Sequence, residues 1–190
     1  MSNYKNVNDT KTNKRIIEEY EEFNKNRCSS VATGIYMPDK NNIYEWEASF
    51  YGPKDTSYKG GLFFLSIKFP IDYPEHGPEI CFKTPIYHIN VNPIKSNLPG
   101  AEPLGHISIS TLKLWKPKYR MREVLPNIFA LFYMVNPESA YGLERVDEFR
   151  DNRCLYENKI KYFTKKYANP IKYHINKNID DSWDFSYDVK

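Results

Sequence analysis

The clearest pattern in the chain lies at residues 44–50, where Tyr44, Trp46, Ala48 and Phe50 alternate with Glu45, Glu47 and Ser49. A period of two sends one set to a buried face and the other to water, which predicts a half-buried strand. The turn residues Tyr51-Gly52-Pro53-Lys54-Asp55 close it. Residues 62–69, bounded by Gly60-Gly61 and Pro70, predict a third strand, and residues 79–83 a fourth. The short connections between them predict an antiparallel meander. Upstream, Ile16, Ile17, Tyr20 and Phe23 form a stripe at helical spacing across residues 13–26, with Glu18, Glu19, Glu21 and Glu22 as the expected wet face.

Downstream of the strands the period disappears. Residues 85–118 hold almost no pattern, and long irregular stretches inside compact domains are usually functional. Helical spacing returns at residues 121–134 through Val124, Ile128, Leu131 and Phe132. Pro126 fits there only within about the first turn or at a kink. Two further helical segments are expected at residues 144–151 and 153–168, stopped by Asn169-Pro170. Residues 1–12 read as a disordered leader, 13–169 as one domain and 170–190 as a polar, aromatic tail. A helix, a meander and then helices make an α+β layout with helices against one sheet.

Composition narrows the functional classes. With 27 basic and 24 acidic residues the net charge is +3, too balanced to imply nucleic acid. The basic run Lys113, Lys116, Lys118, Arg120 and Arg122 reads as a solvated surface. No run of apolar residues is long enough for a membrane span, and residues 1–14 lack a signal-peptide core. Cys28, Cys81 and Cys154 lie far apart with no metal-ligand spacing, so no metal and no cofactor is expected and the thiols read as unpaired in a reducing compartment.

A denser set of residues lies within and around the irregular stretch. Trp46, Gly52-Pro53, Tyr58, Gly60-Gly61-Leu62-Phe63, Phe69-Pro70, Asp72-Tyr73-Pro74, Pro78, Phe82, Thr84 and Ile86-Tyr87-His88 are followed by Gly105, Ile107, Leu112, Trp115, Pro117, Val124-Leu125, Asn136-Pro137 and Lys166-Tyr167-Ala168. In order and spacing this set resembles the ubiquitin-conjugating enzyme family over residues 14–169. The resemblance implies that family's fold: an N-terminal helix, a four-stranded antiparallel meander and C-terminal helices. Prolines bracket the loop after the third strand, and Gly77-Pro78 is a candidate cis bond.

The resemblance also implies a site. The family's His-Pro-Asn tripeptide stands here as His88-Ile89-Asn90, and its Gly-x-Ile-Cys as Gly105-His106-Ile107-Ser108. Family cysteines receive ubiquitin as a thioester, so Ser108 occupies the nucleophile position. Asn90 matches the asparagine assigned to oxyanion stabilisation or to shaping the site loop, and His88 matches a histidine that resembles a buried hydrogen-bonding group more than a base. The resemblance implies partners: ubiquitin or a ubiquitin-like protein, an activating enzyme and a ligase, in the cytoplasm or nucleus.

Several positions depart from the family pattern. A thiol with a pKa near 8.5 is partly ionised at neutral pH, whereas a serine hydroxyl needs an adjacent base. His106, two residues from Ser108, is the only neighbour in sequence, and a surface histidine is the expected reading. Two readings of Ser108 stand open: a cysteine replaced by serine, in which case the natural residue 108 would carry ubiquitin for transfer to a substrate lysine and the serine would hold it as a slow ester, or a catalytically silent member that binds ubiquitin or a partner conjugating enzyme or ligase. Asn90 and Ser108 are 18 positions apart, about twice the family separation. The extra segment, residues 91–104, is expected to form a loop at the rim. Glu75 stands in place of a ligase-docking aromatic, Lys116 and Lys118 flank Pro117 in the second docking loop, and Lys14 and Arg15 stand where the family meets its activating enzyme.

Overall fold

The computed structural model describes residues 10–25, 32 and 34–169. The expected leader falls outside them except for residues 10–12, and the expected tail falls wholly outside.

Helix α1 spans Lys11–Lys25, and Ile16, Ile17, Tyr20 and Phe23 pack on the core as the stripe predicts. Glu19 departs from the expected wet face. It sits three residues after Ile16 and is 1% exposed, because three groups satisfy its carboxylate. Tyr73 Oη donates to it at 2.8 Å, the Met121 N–H at 2.7 Å, and the Arg15 guanidinium pairs with it. A buried carboxylate is tolerated only when it is hydrogen-bonded in this way.

Strands β1 (Gly34–Tyr36), β2 (Glu45–Tyr51), β3 (Leu62–Lys68) and β4 (Glu79–Phe82) form one antiparallel sheet in sequence order. The alternation at 44–50 delivers Trp46, Ala48 and Phe50 to the core at 1% exposure or less. Glu47, on the opposite face, is itself covered, by Tyr36 Oη and Lys83 Nζ. The first strand of the meander is three residues long, too short to leave a periodic trace.

The loop after β3 carries a cis bond at Tyr73-Pro74, not at Gly77-Pro78. Gly77 has another constraint: a Cβ there would stand 2.7 Å from the Trp115 ring, whose Nε1 donates to the Pro74 carbonyl at 2.7 Å. The irregular stretch contains one short helix, α2 (Ser110–Lys113). Helix α3 covers Met121–Ala130, ending earlier than the pattern suggests. Pro126 is its sixth residue, beyond the first turn, and sits on the exposed side, where water can serve the Arg122 carbonyl that lacks an amide partner. A 3-10 turn at Pro137–Ser139 leads to α4 (Leu143–Asp151) and α5 (Arg153–Tyr167). No described helix is long and apolar enough to cross a membrane.

Candidate active site

The site is built from segments that no ladder holds. Val91 bridges Ile107, Cys81 bridges His106, and the Ser108 N–H donates to the Asn90 carbonyl at 2.9 Å. These contacts bring the two motifs together across the 18 positions that separate them in sequence. His88, Ile89, Asn90, Val91 and Ser108 are all buried at 2% exposure or less.

Asn90 is committed to the backbone. Its Nδ2 donates to the Asn136 carbonyl at 2.6 Å and the Ser139 carbonyl at 3.0 Å, and its Oδ1 accepts from the Asn136 N–H at 2.8 Å. It therefore fastens the start of the 3-10 turn to the motif. Asn136 continues the chain of bonds by accepting the Glu138 N–H at 3.1 Å.

Both ring nitrogens of His88 are engaged. Nδ1 accepts the Asn90 N–H at 3.0 Å, which leaves the proton on Nε2, facing the Leu131 carbonyl at 3.0 Å. Burial pushes its pKa down to about 4, so the ring is neutral at physiological pH. Arg145, from α4, donates to the His88 carbonyl at 3.3 Å and lies 4.4 Å from the Tyr87 ring centroid. Tyr156, from α5, accepts the Ile89 N–H at 3.3 Å, and the Tyr141 N–H donates to the Ile89 carbonyl at 2.6 Å.

His106 is also committed, away from Ser108. Its Nδ1 meets Tyr141 Oη at 2.7 Å and its Nε2 meets Glu102 at 3.2 Å. Ser108 Oγ makes no hydrogen bond among the described residues. Cys81 lies buried in β4 with its thiol pushed up to about 12, chiefly by burial, so it stays protonated. Cys154 is exposed in the first turn of α5, and Cys28 falls outside the described residues. No group of three or more His, Cys, Asp or Glu among the described residues could hold a metal.

The extra segment closes at its base through Asn92, whose Nδ2 donates to the Glu102 carbonyl at 2.8 Å and the Pro103 carbonyl at 3.0 Å. Its outer part is open, with Leu98 75% exposed and Ile94 64% exposed. Glu75, Lys116 and Lys118 are exposed, so the charged replacements at the two docking loops face solvent.

Sequence reasoning passed over Tyr141, Arg145 and Tyr156. Each serves the motif from a distant element, and nothing local in the sequence marks them. Asn136 and Pro137 were visible as a pair, but their bond to Asn90 was not.

Residues 15–164 match the family model described as ubiquitin-conjugating enzyme. The Arabidopsis thaliana protein named "Probable ubiquitin-conjugating enzyme E2 31" is 37% identical over 162 residues, covering 85% of this chain and 96% of that protein. The solved structure named "Crystal structure of a putative ubiquitin conjugating enzyme from Plasmodium yoelii" superposes with a TM-score of 0.71 at 26% identity, covering 85% of this chain and 98% of that one.

Proposed function

The chain belongs to the ubiquitin-conjugating enzyme family and so to the ubiquitin pathway, and on that premise we propose that it acts there as a binding member and not as a thioester carrier. The observation that carries this reading is the state of Ser108: its N–H is held by the Asn90 carbonyl, but its hydroxyl has no base among the described residues. His88 is neutral and bonded at both nitrogens, and His106 faces Tyr141 and Glu102.

Acyl transfer onto residue 108 requires the nucleophile to lose its proton as the C–O or C–S bond forms. A thiol supplies a few per cent thiolate near pH 7 on its own; a hydroxyl supplies none without a base. An oxyester, once formed, is also a poorer acyl donor to an amine than a thioester. Asn90 and His88 take positioning roles in this reading: buried themselves, they hold residues 88–92 and the 3-10 turn in place, while ubiquitin or a ubiquitin-like protein, an activating enzyme and a ligase would be met at exposed groups such as Lys14, Glu75, Lys116 and Lys118.

A second reading, in which Ser108 holds ubiquitin as a slow ester, draws support from the intact Asn90 bonds. One assay separates the two. The protein, an activating enzyme, ATP and ubiquitin are mixed and resolved with and without reductant and alkali. The binding reading expects no adduct on the protein and a reductant-sensitive adduct on Ser108→Cys. A reductant-resistant, alkali-labile adduct on the unmodified chain overturns it in favour of the ester.

A further inference from the structure

Away from Ser108, the loop between β2 and β3 and the second half of α5 line an open concavity of about 500 Å3. That volume falls in the range of about 300–1,000 Å3 common for small-molecule sites. Lys59 enters its wall from the loop, and Lys161 and Lys165 from α5. None of the three ammonium groups makes an ion pair or a hydrogen bond among the described residues. Other basic groups of α5 are engaged: Arg153 pairs with Glu157, Lys159 with Glu148, and Lys166 lies over the Tyr162 and Tyr167 rings.

This arrangement is not what helix stability selects. Lys161 and Lys165 stand four residues apart on one face, a like-charge spacing that costs a helix a few tenths of a kcal/mol. Compensation of the helix dipole can favour both of them near the C-terminal end of α5, but it gives no reason for Lys59 to be brought there from the loop. No carboxylate lines the cavity. Glu157, whose partner Ser57 is in the wall, attracts Lys161 but is already bonded to Ser57 Oγ and Arg153. Gly60, also in the wall, adds an N–H that makes no hydrogen bond among the described residues.

We propose that this cavity is a binding site for a compact anion carrying two or more phosphoryl groups. Lysine serves phosphate as a compact, rotatable point charge, and three of them converging on one concavity match a ligand whose charges are clustered. Such a group could be a soluble polyphosphorylated molecule or the headgroup of a phosphoinositide. The site is independent of Ser108, since none of its wall residues bonds to Ser108, Asn90 or His88.

The test is calorimetric titration of the full chain with inorganic tripolyphosphate alone. The site predicts saturable binding with one equivalent, weakened by salt. The Lys59→Gln/Lys161→Gln/Lys165→Gln variant should bind about tenfold more weakly or worse. A charge-matched control, Lys40→Gln/Lys68→Gln/Lys116→Gln, should bind as the parent does. If the triple variant fails to fold by circular dichroism, Lys59→Gln alone, in an exposed loop, carries the test with a smaller loss. Absence of saturable binding, or an equal loss in the control, overturns the proposal. Co-sedimentation with phosphatidylcholine vesicles, with and without phosphatidylinositol bisphosphate, then assigns the source: pelleting only with the phosphoinositide marks a headgroup, and its absence beside tripolyphosphate binding marks a soluble ligand.

Discussion

Residues 88–92 and residues 93–101 are neighbours in sequence and both lack regular secondary structure, yet they are held in opposite ways. Every amide from Ile89 to Asn92 has a partner: Tyr156 Oη, His88 Nδ1, the His88 carbonyl and the His106 carbonyl. Those partners come from α5, the motif itself and the segment before Ser108. The outer stretch has bonds of short reach, from Ile94 N–H to Asn92 Oδ1, Leu98 N–H to Ser96 Oγ and Ala101 N–H to the Leu98 carbonyl. Irregular backbone is thus no sign of weak structure. What matters is whether distant side chains supply the bonds that a ladder would otherwise supply.

The sharpest way to break the comparison is Asn90→Ala. It removes three hydrogen bonds and strands the Asn136 N–H and two carbonyls near the core. We expect a loss of about 4 kcal/mol, read as a lower urea midpoint at unchanged slope. A loss under about 1 kcal/mol would mean that the 3-10 turn is held by other contacts.

Acid should loosen the same region by a slightly smaller amount. Because burial lowers His88 from 6.5 to about 4 in the folded chain, the unfolded state binds its proton first as pH falls. The contribution is fully present above pH 6.5 and is lost as pH drops toward about 4, amounting to about 3 kcal/mol. Urea midpoints measured across that interval should slope in the parent and flatten in His88→Gln. An unchanged slope in the variant would assign the acid sensitivity to other groups.

The outer stretch supplies the smallest effect. Leu98→Ser, at a position 75% exposed, should shift stability by no more than about 0.5 kcal/mol. A larger loss in the same urea measurement would mean that Leu98 packs against the domain in solution.

The contrast also explains what could be read from the sequence. Trp46, Ala48 and Phe50 announce β2 because a half-buried strand imposes a period of two, and α1 shows its stripe for the corresponding reason. Asn90 and Ser108 were legible only through their resemblance to a known motif, since single residues in a loop carry no period. Their supports were not legible: Asn136 lies 46 residues from Asn90, Tyr156 lies 67 from Ile89 and Tyr141 lies 35 from His106. Glu19 was misplaced for a related reason. Spacing alone puts it on the border of the stripe, and two of the three groups that make its burial tolerable, Tyr73 and Met121, come from later segments.

That carboxylate also sets how the domain can come apart. Glu19 accepts the Met121 N–H, the first amide of α3, while its own helix covers the sheet through Ile16 and Tyr20. Were α1 to detach, α3 would lose the carboxylate that accepts its first amide and Tyr73 its acceptor in the same event. Two helices far apart in sequence are thereby joined into one cooperative unit.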